Sequence, residues 1–173
     1  ICDISNIDIS ECSEVTVNDG DGENIESKCN KYREIEKIIA DLGVKTEIVA
    51  ISKNHPKDYV EQAISNGVRV FGENRIQEAK LKFQEILVRD TSIKLHLTGP
   101  LQTNKVKSAL DLFDIFHTLD REKLLKELSK HPEKTEKKTF FVQVNTGKEL
   151  SKSGIYPADT KNFIELCKSY GIN

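Results

Sequence analysis

The chain has 173 residues and a formal net charge of -2, with 26 Lys plus Arg against 28 Asp plus Glu. That is enough for one domain with a real core, and so balanced a charge argues against nucleic acid as the main partner. No run approaches the ~20 apolar residues needed to span a bilayer.

Residues 1–23 are rich in Asp, Asn, Ser and Glu and read as an acidic, flexible N-terminal segment. The tract Asn18-Asp-Gly-Asp-Gly22 faintly resembles a calcium loop, but its spacing fails that motif. From Asn24 the pattern changes. Ile25, Tyr32, Ile35, Ile38, Ile39 and Leu42 recur at helical spacing and stop at Gly43. Glu47 to Ser52 is a strand-type run closed by Lys53 and Asn54. Pro56 opens a helix that stops at Asn66-Gly67, and Val68 to Phe71 is the next strand. Ile76 to Leu87 is a helix with Ala79, Phe83, Ile86 and Leu87 inward. Ile93 to Leu97 is a strand, Leu101 to Leu110 a short helix, and Ile115 to His117 a brief strand. Arg121 to Leu128 is a helix, and His131 to Lys138 a charged surface loop. Phe140 to Val144 is the fifth strand. Pro157 to Tyr170 is the fifth helix of the series, with Phe163, Ile164, Leu166 and Cys167 as its core side.

Strands that alternate with helices predict a parallel sheet, because each helix supplies the crossover between parallel neighbours. The strands are almost continuously apolar, as burial on both faces requires. An open doubly wound sheet and a closed barrel both satisfy the pattern. Ser52-Lys53-Asn54-His55-Pro56 stands where a dinucleotide-binding fold carries its glycine-rich loop, which weakens that alternative. A complete (β/α)8 barrel needs more chain, at least about 200 residues.

Cys2, Cys12, Cys29 and Cys167 are irregularly spaced and form no CxxC pair, so free thiols in a reducing compartment are expected. No metal cluster is expected either, since His55, His96, His117 and His131 fall on separate elements.

Ligands of parallel β/α folds bind beyond the carboxyl ends of the strands. The polar residues at those ends are therefore the candidates. Lys53 follows the first strand, either as a snorkelling lysine with its charge in solvent or as a semi-buried amine able to form a Schiff base. Asn74 and Asn104 lie near helix starts, where capping is the plain alternative to ligand binding. His96 lies within a strand and reads equally as a satisfied core imidazole. Lys105, Lys107, Lys148 and Lys152 could form a phosphate patch or a solvated face. These residues alone give a ligand-binding β/α protein.

Several blocks add more. Ile48-Val-Ala-Ile-Ser-Lys53, Phe71-Gly-Glu-Asn-Arg-Ile-Gln-Glu78, His96-Leu-Thr-Gly-Pro-Leu-Gln-Thr-Asn-Lys105, Phe116-His-Thr-Leu-Asp120, Val142-Gln-Val-Asn145 and Ser151-Lys-Ser-Gly154 occur in this order. Together they resemble the pyridoxal phosphate homeostasis protein family, also called the proline synthase co-transcribed family, over residues 24–173. That resemblance implies the α/β fold of the alanine racemase N-terminal domain, a TIM-type (β/α)8 barrel of fold-type III. The chain would cover about the first five β/α units and be C-terminally truncated, so that 24–173 is a partial barrel domain.

The resemblance also implies the cofactor, pyridoxal 5′-phosphate (PLP), held as a covalent imine at Lys53. Asn74, His96, Asn104 and Asn145 match family residues in the blocks around the cofactor. Lys152 matches a second lysine linked to occupancy or transfer. Two departures stand out: the acidic tract before Asn24, and Gly147-Lys-Glu-Leu150 where the family carries Ser-Gly-Glu-Glu. The segment that grips the phosphate in the family follows the blocks matched here.

The implied role is cytoplasmic PLP binding and homeostasis, with no catalytic residues and no strong catalytic activity. The expected partners are PLP and apo-forms of PLP-dependent enzymes, not nucleic acid or membrane, and the chain is expected as a monomer or weak dimer. The competing readings are a racemase-like enzyme using Lys53 as base and a sugar-phosphate enzyme on an ordinary barrel.

Overall fold

The computed structural model describes residues 29–43 and 46–172. The acidic segment 1–23, with its calcium-like tract, lies outside the described residues, as does the expected helix start at Asn24. The elements run α1 (Cys29–Asp41), β1 (Ala50–Ile51), α2 (Lys57–Ser65), β2 (Val70–Glu73), α3 (Ile76–Arg89), β3 (Lys94–Leu97), α4 (Val106–Leu112), β4 (Ile115–Leu119), α5 (Glu122–Leu128), α6 (Pro132–Thr135), β5 (Thr139–Val142) and α7 (Thr160–Ser169). Single 3₁₀ turns, Thr103–Lys105 and Pro157–Asp159, precede α4 and α7. The strands form one five-stranded sheet in the order β1-β2-β3-β4-β5. This is the parallel β/α arrangement that the alternation predicts. None of the helices is long and apolar enough to cross a membrane among the described residues.

The contacts divide the chain into two compact units. One takes the described residues up to Gly72 together with Leu81–Ile93. Within it β1 pairs with β2 in parallel, Ala50 opposite Phe71 and Ile51 opposite Gly72. Helix α2 begins after Pro56, whose fixed φ suits a helix entry and whose missing N–H is no loss there. Val60 and Ala63 form its fully buried stripe. The helix stops at Gly67, whose φ of +98° lets the chain reverse while Val68 N–H donates to Ala63 O and Gly67 N–H to Ile64 O. The core of this unit centres on Phe71 and Phe83, rings 5.4 Å apart, with Ile86 beside them in the buried set. On the surface, Lys57 pairs with Glu85 and Arg89 with Glu61, linking α2 to α3.

The second unit takes Glu73–Lys80 and the residues from Lys94 onward. Here β3 pairs with β4 in parallel, and β4 with β5, with a register shift between Phe116 and Leu119. Phe113 meets Phe116 edge to face and Phe116 stacks on Phe140, with centroid spacings of 6.2 and 5.0 Å. Asp114 ties β3 to β4: its carboxylate accepts from Leu95 N–H and its own N–H donates to Leu95 O.

Two expectations are corrected here. The stretch expected as a charged loop contains the short helix α6, which seats Thr135 in the interior at 5% exposure while its one lysine, Lys134, is half-buried and pairs with Asp111. In α7, Phe163 and Cys167 face inward as expected, but Ile164 is 40% exposed. Residue 164 lies about 100° around the helix from 163, so both cannot occupy the centre of a narrow buried stripe.

Candidate functional site

In the first unit the residues beyond β1 form a four-residue turn, Ser52 to His55. Ser52 N–H continues the strand ladder by donating to Gly72 O at 3.0 Å, and His55 N–H closes the turn on Ser52 O at 3.2 Å. Asn54 takes the third position with φ +65°, a conformation asparagine tolerates better than most residues. Lys53 occupies the second position and is exposed, whereas Ser52 is fully buried. The structure thus gives Lys53 a solvent-facing place at a strand end, not a semi-buried one.

The sequence reading missed the residue beneath this turn. Lys82 of α3 is 6% exposed, and its ammonium donates to Ser52 O at 2.5 Å. Lysine is almost never so buried unless paired. The signal was available in the spacing, since position 82 shares a helix face with Ala79, Phe83 and Ile86.

The second unit carries a cavity of about 410 Å³ beyond the ends of β3, β4 and β5. Thr98 and Pro100 line it after β3, Thr118 from β4, and Gln143 to Gly147 after β5. Glu149, Lys152 and Ser153 complete the wall from the following loop. That loop is anchored at both ends. Asn145 N–H donates to Ile155 O at 2.9 Å, and Ile155 N–H donates to Gln143 O at 2.8 Å. The Asn145 side chain, 7% exposed, donates to Glu149 O at 2.8 Å and to Lys152 O at 3.2 Å. Its carbonyl accepts from Glu149 N–H at 3.3 Å. Lys152 pairs with the Glu149 carboxylate at 2.9 Å and stays largely in solvent.

One lining residue has a side-chain oxygen without a protein partner. The Thr118 hydroxyl is buried and makes no hydrogen bond, in a residue only 4% exposed. With Thr98, Gln143, Asn145 and Ser153 nearby in the wall, the cavity offers hydroxyl and amide groups of the kind that orient a polar ligand.

Of the sequence candidates, Asn145 and Lys152 line this cavity. Asn74 accepts a 2.8 Å hydrogen bond from the hydroxyl of Thr98, itself a lining residue. His96 is not in the wall; it is 3% exposed, and its Nδ1 lies 2.9 Å from Nε2 of His117. Asn104 is exposed on the 3₁₀ turn before α4, also outside the wall. Lys53 belongs to the first unit. The unpartnered hydroxyl of Thr118 is the feature of this cavity that the sequence did not disclose.

Comparison with known proteins places this geometry in a lineage. The pattern of the family described as "Alanine racemase, N-terminal domain" matches residues 29–173. The chain belongs to that family. Within the alanine racemase N-terminal domain family it is similar to curated relatives named pyridoxal phosphate homeostasis protein. The one from Vibrio alginolyticus is 33% identical over 147 residues, covering 83% of this chain and 63% of the relative. The one from Escherichia coli K12 is 38% identical over 116 residues, covering 65% of this chain and 49% of the relative. The chain therefore spans less than two thirds of the length of these relatives. Among solved structures, PipY of Synechococcus elongatus PCC7942 without PLP superposes with a TM-score of 0.71 and 29% identity, covering 82% of this chain and 65% of that one. The same protein with PLP bound gives 0.60 and 31% identity, covering 75% and 61%.

Proposed function

We propose that this chain binds pyridoxal 5′-phosphate and belongs to a cytoplasmic protein that stores the cofactor and releases it to apo-enzymes, without strong catalysis of its own. The likeness to PipY with PLP bound carries this reading. The polar cavity supports it, because Thr118 in its wall carries a buried hydroxyl with no partner in the protein.

In this reading Lys53 is the amine that condenses with the cofactor's aldehyde, releasing one water and leaving a C=N bond. Its solvent-facing place keeps it reachable by a free aldehyde. Asn74, His96, Asn104, Asn145 and Lys152 are the other residues proposed for the cofactor, by their match to the family. Asn145 and Lys152 lie in the cavity wall of the second unit, and Asn74 bonds to Thr98 of that wall. His96, paired with His117, would act from inside the sheet. Bound PLP supplies an aldehyde and an electron-accepting ring; substrate chemistry needs placed acids and bases as well. Residues 24–173 are proposed as the partial cofactor-binding barrel domain.

The test is direct. The chain is incubated with PLP, reduced with borohydride, digested and mapped by mass spectrometry. The expected result is a phosphopyridoxyl group on Lys53, absent from Lys53→Ala, with no turnover across a panel of amino acids. Labelling spread evenly over surface lysines would remove the reading. Turnover lost with Lys53→Ala would replace it with racemase-like catalysis.

A further inference from the structure

Lys82 is buried, whereas lysines of this type ordinarily keep their charge in water. It sits in the middle of α3, one residue from Phe83 and one turn from Ile86, both buried. An apolar side chain would suit that place by packing alone. The ammonium instead meets Ser52 O, which also accepts from His55 N–H. A carbonyl oxygen has two lone pairs, so both are engaged. One bond closes the turn on itself. The other ties the turn to a helix thirty positions further along the chain. With Ser52 N–H held by Gly72 O, both polar backbone groups of the residue before Lys53 are fixed.

A peptide plane held in this way sets the direction in which the next Cα–Cβ bond leaves the backbone. A hydrogen bond from an ammonium is shorter and stronger than a neutral one, and the buried setting shields it from competing water. Lysine also has the reach to make this bond, because its flexible four-carbon stem carries the ammonium from the helix to the turn.

Resting on the functional reading above, we propose that Lys82 is a positioning residue: it clamps the Ser52 carbonyl and so holds the turn that presents Lys53 to the cofactor's aldehyde. Lys82 itself touches no cofactor in this scheme. Its effect passes through the backbone of Ser52.

The experiment compares the wild-type chain with Lys82→Met and Lys82→Arg by two readouts. The first is amide hydrogen exchange at His55, referenced to amides within α2. The second is the rate at which borohydride traps PLP on Lys53. In Lys82→Met, His55 exchange is expected to rise about tenfold while α2 is unchanged, as for local opening. Trapping at Lys53 is expected to fall about tenfold through lost orientation. Lys82→Arg restores part of both. Wild-type trapping in folded Lys82→Met overturns the proposal, whatever His55 does. Should Lys82→Met fail to fold, Lys82→Gln takes its place under the same criteria. Should the wild-type chain trap no PLP at Lys53, the functional reading fails separately. The clamp is then decided by His55 alone: faster exchange supports it, unchanged exchange overturns it.

Discussion

Asn145 and Glu149 bond to each other in both directions: the Asn145 amide donates to Glu149 O, and Glu149 N–H donates back to the Asn145 carbonyl. The same amide reaches Lys152 O. Asn145 thus shapes the wall of the cavity whatever it does toward a ligand. Asn145→Ala is expected to lose about 1–3 kcal/mol, because three hydrogen bonds to the loop backbone go with the side chain. Urea unfolding reads the loss. PLP titration of the same variant should show weaker binding, as Lys152 and Ser153 lose their fixed positions.

Thr118 sets two measurements against each other. Its buried hydroxyl has no partner in the protein. Thr118→Val keeps nearly the same shape and removes that group. The ligand-free protein is expected to gain about 1 kcal/mol, since an unsatisfied buried hydroxyl is destabilising. PLP affinity is expected to fall by about tenfold, equivalent to ~1.4 kcal/mol. Equal binding by variant and wild type would separate this hydroxyl from the ligand.

Gly99 lies against the backbone of Asn74. A Cβ at position 99 would come within 2.2 Å of Asn74 O. Gly99→Ala must therefore push the two segments apart, and about 1–3 kcal/mol of stability should go with the strain. The Thr98–Asn74 hydrogen bond is next to this contact and should weaken with it. Thermal unfolding with and without PLP would show a lower midpoint and a smaller ligand-induced rise.

Glu122 gives a pH signature. The Lys126 ammonium, and then the Tyr170 hydroxyl, hold its carboxyl below the usual carboxylate range. A lowered folded pKa favours the folded state above the ordinary carboxylate pKa, and the effect fades as pH falls through the lowered value. Wild type is therefore expected to exceed Glu122→Gln in urea midpoint at neutral pH. The gap should close in strongly acidic buffer. A gap independent of pH would mean the carboxylate charge is not responsible.

Much of this fold was legible because helix and strand periods are written in apolar spacing. Ala79, Phe83 and Ile86 mark a buried face that the structure reproduces. Gly43 and Gly67 mark helix ends, and both take positive φ. What stayed hidden was polar and inside. Lys82 reads as one more surface lysine until its face is compared with Phe83. Thr118 reads as an ordinary strand residue, because nothing in a sequence shows whether a hydroxyl will find a partner. Asn145 was legible as a strand-end polar residue, but its bonds to Glu149 and Lys152 depend on a loop path that spacing does not encode. The helical turn at Pro132–Thr135 was masked by the surrounding lysines and glutamates, whose charges suggested a loop.

The single amide of Asn145 holds carbonyls on either side of Leu150, a large apolar side chain that is 94% exposed. A protease that cuts between Leu150 and Ser151 would find an accessible bond, yet both new ends would remain tethered to one buried side chain. Limited digestion should then yield a nicked protein that still travels as one particle and comes apart only in denaturant.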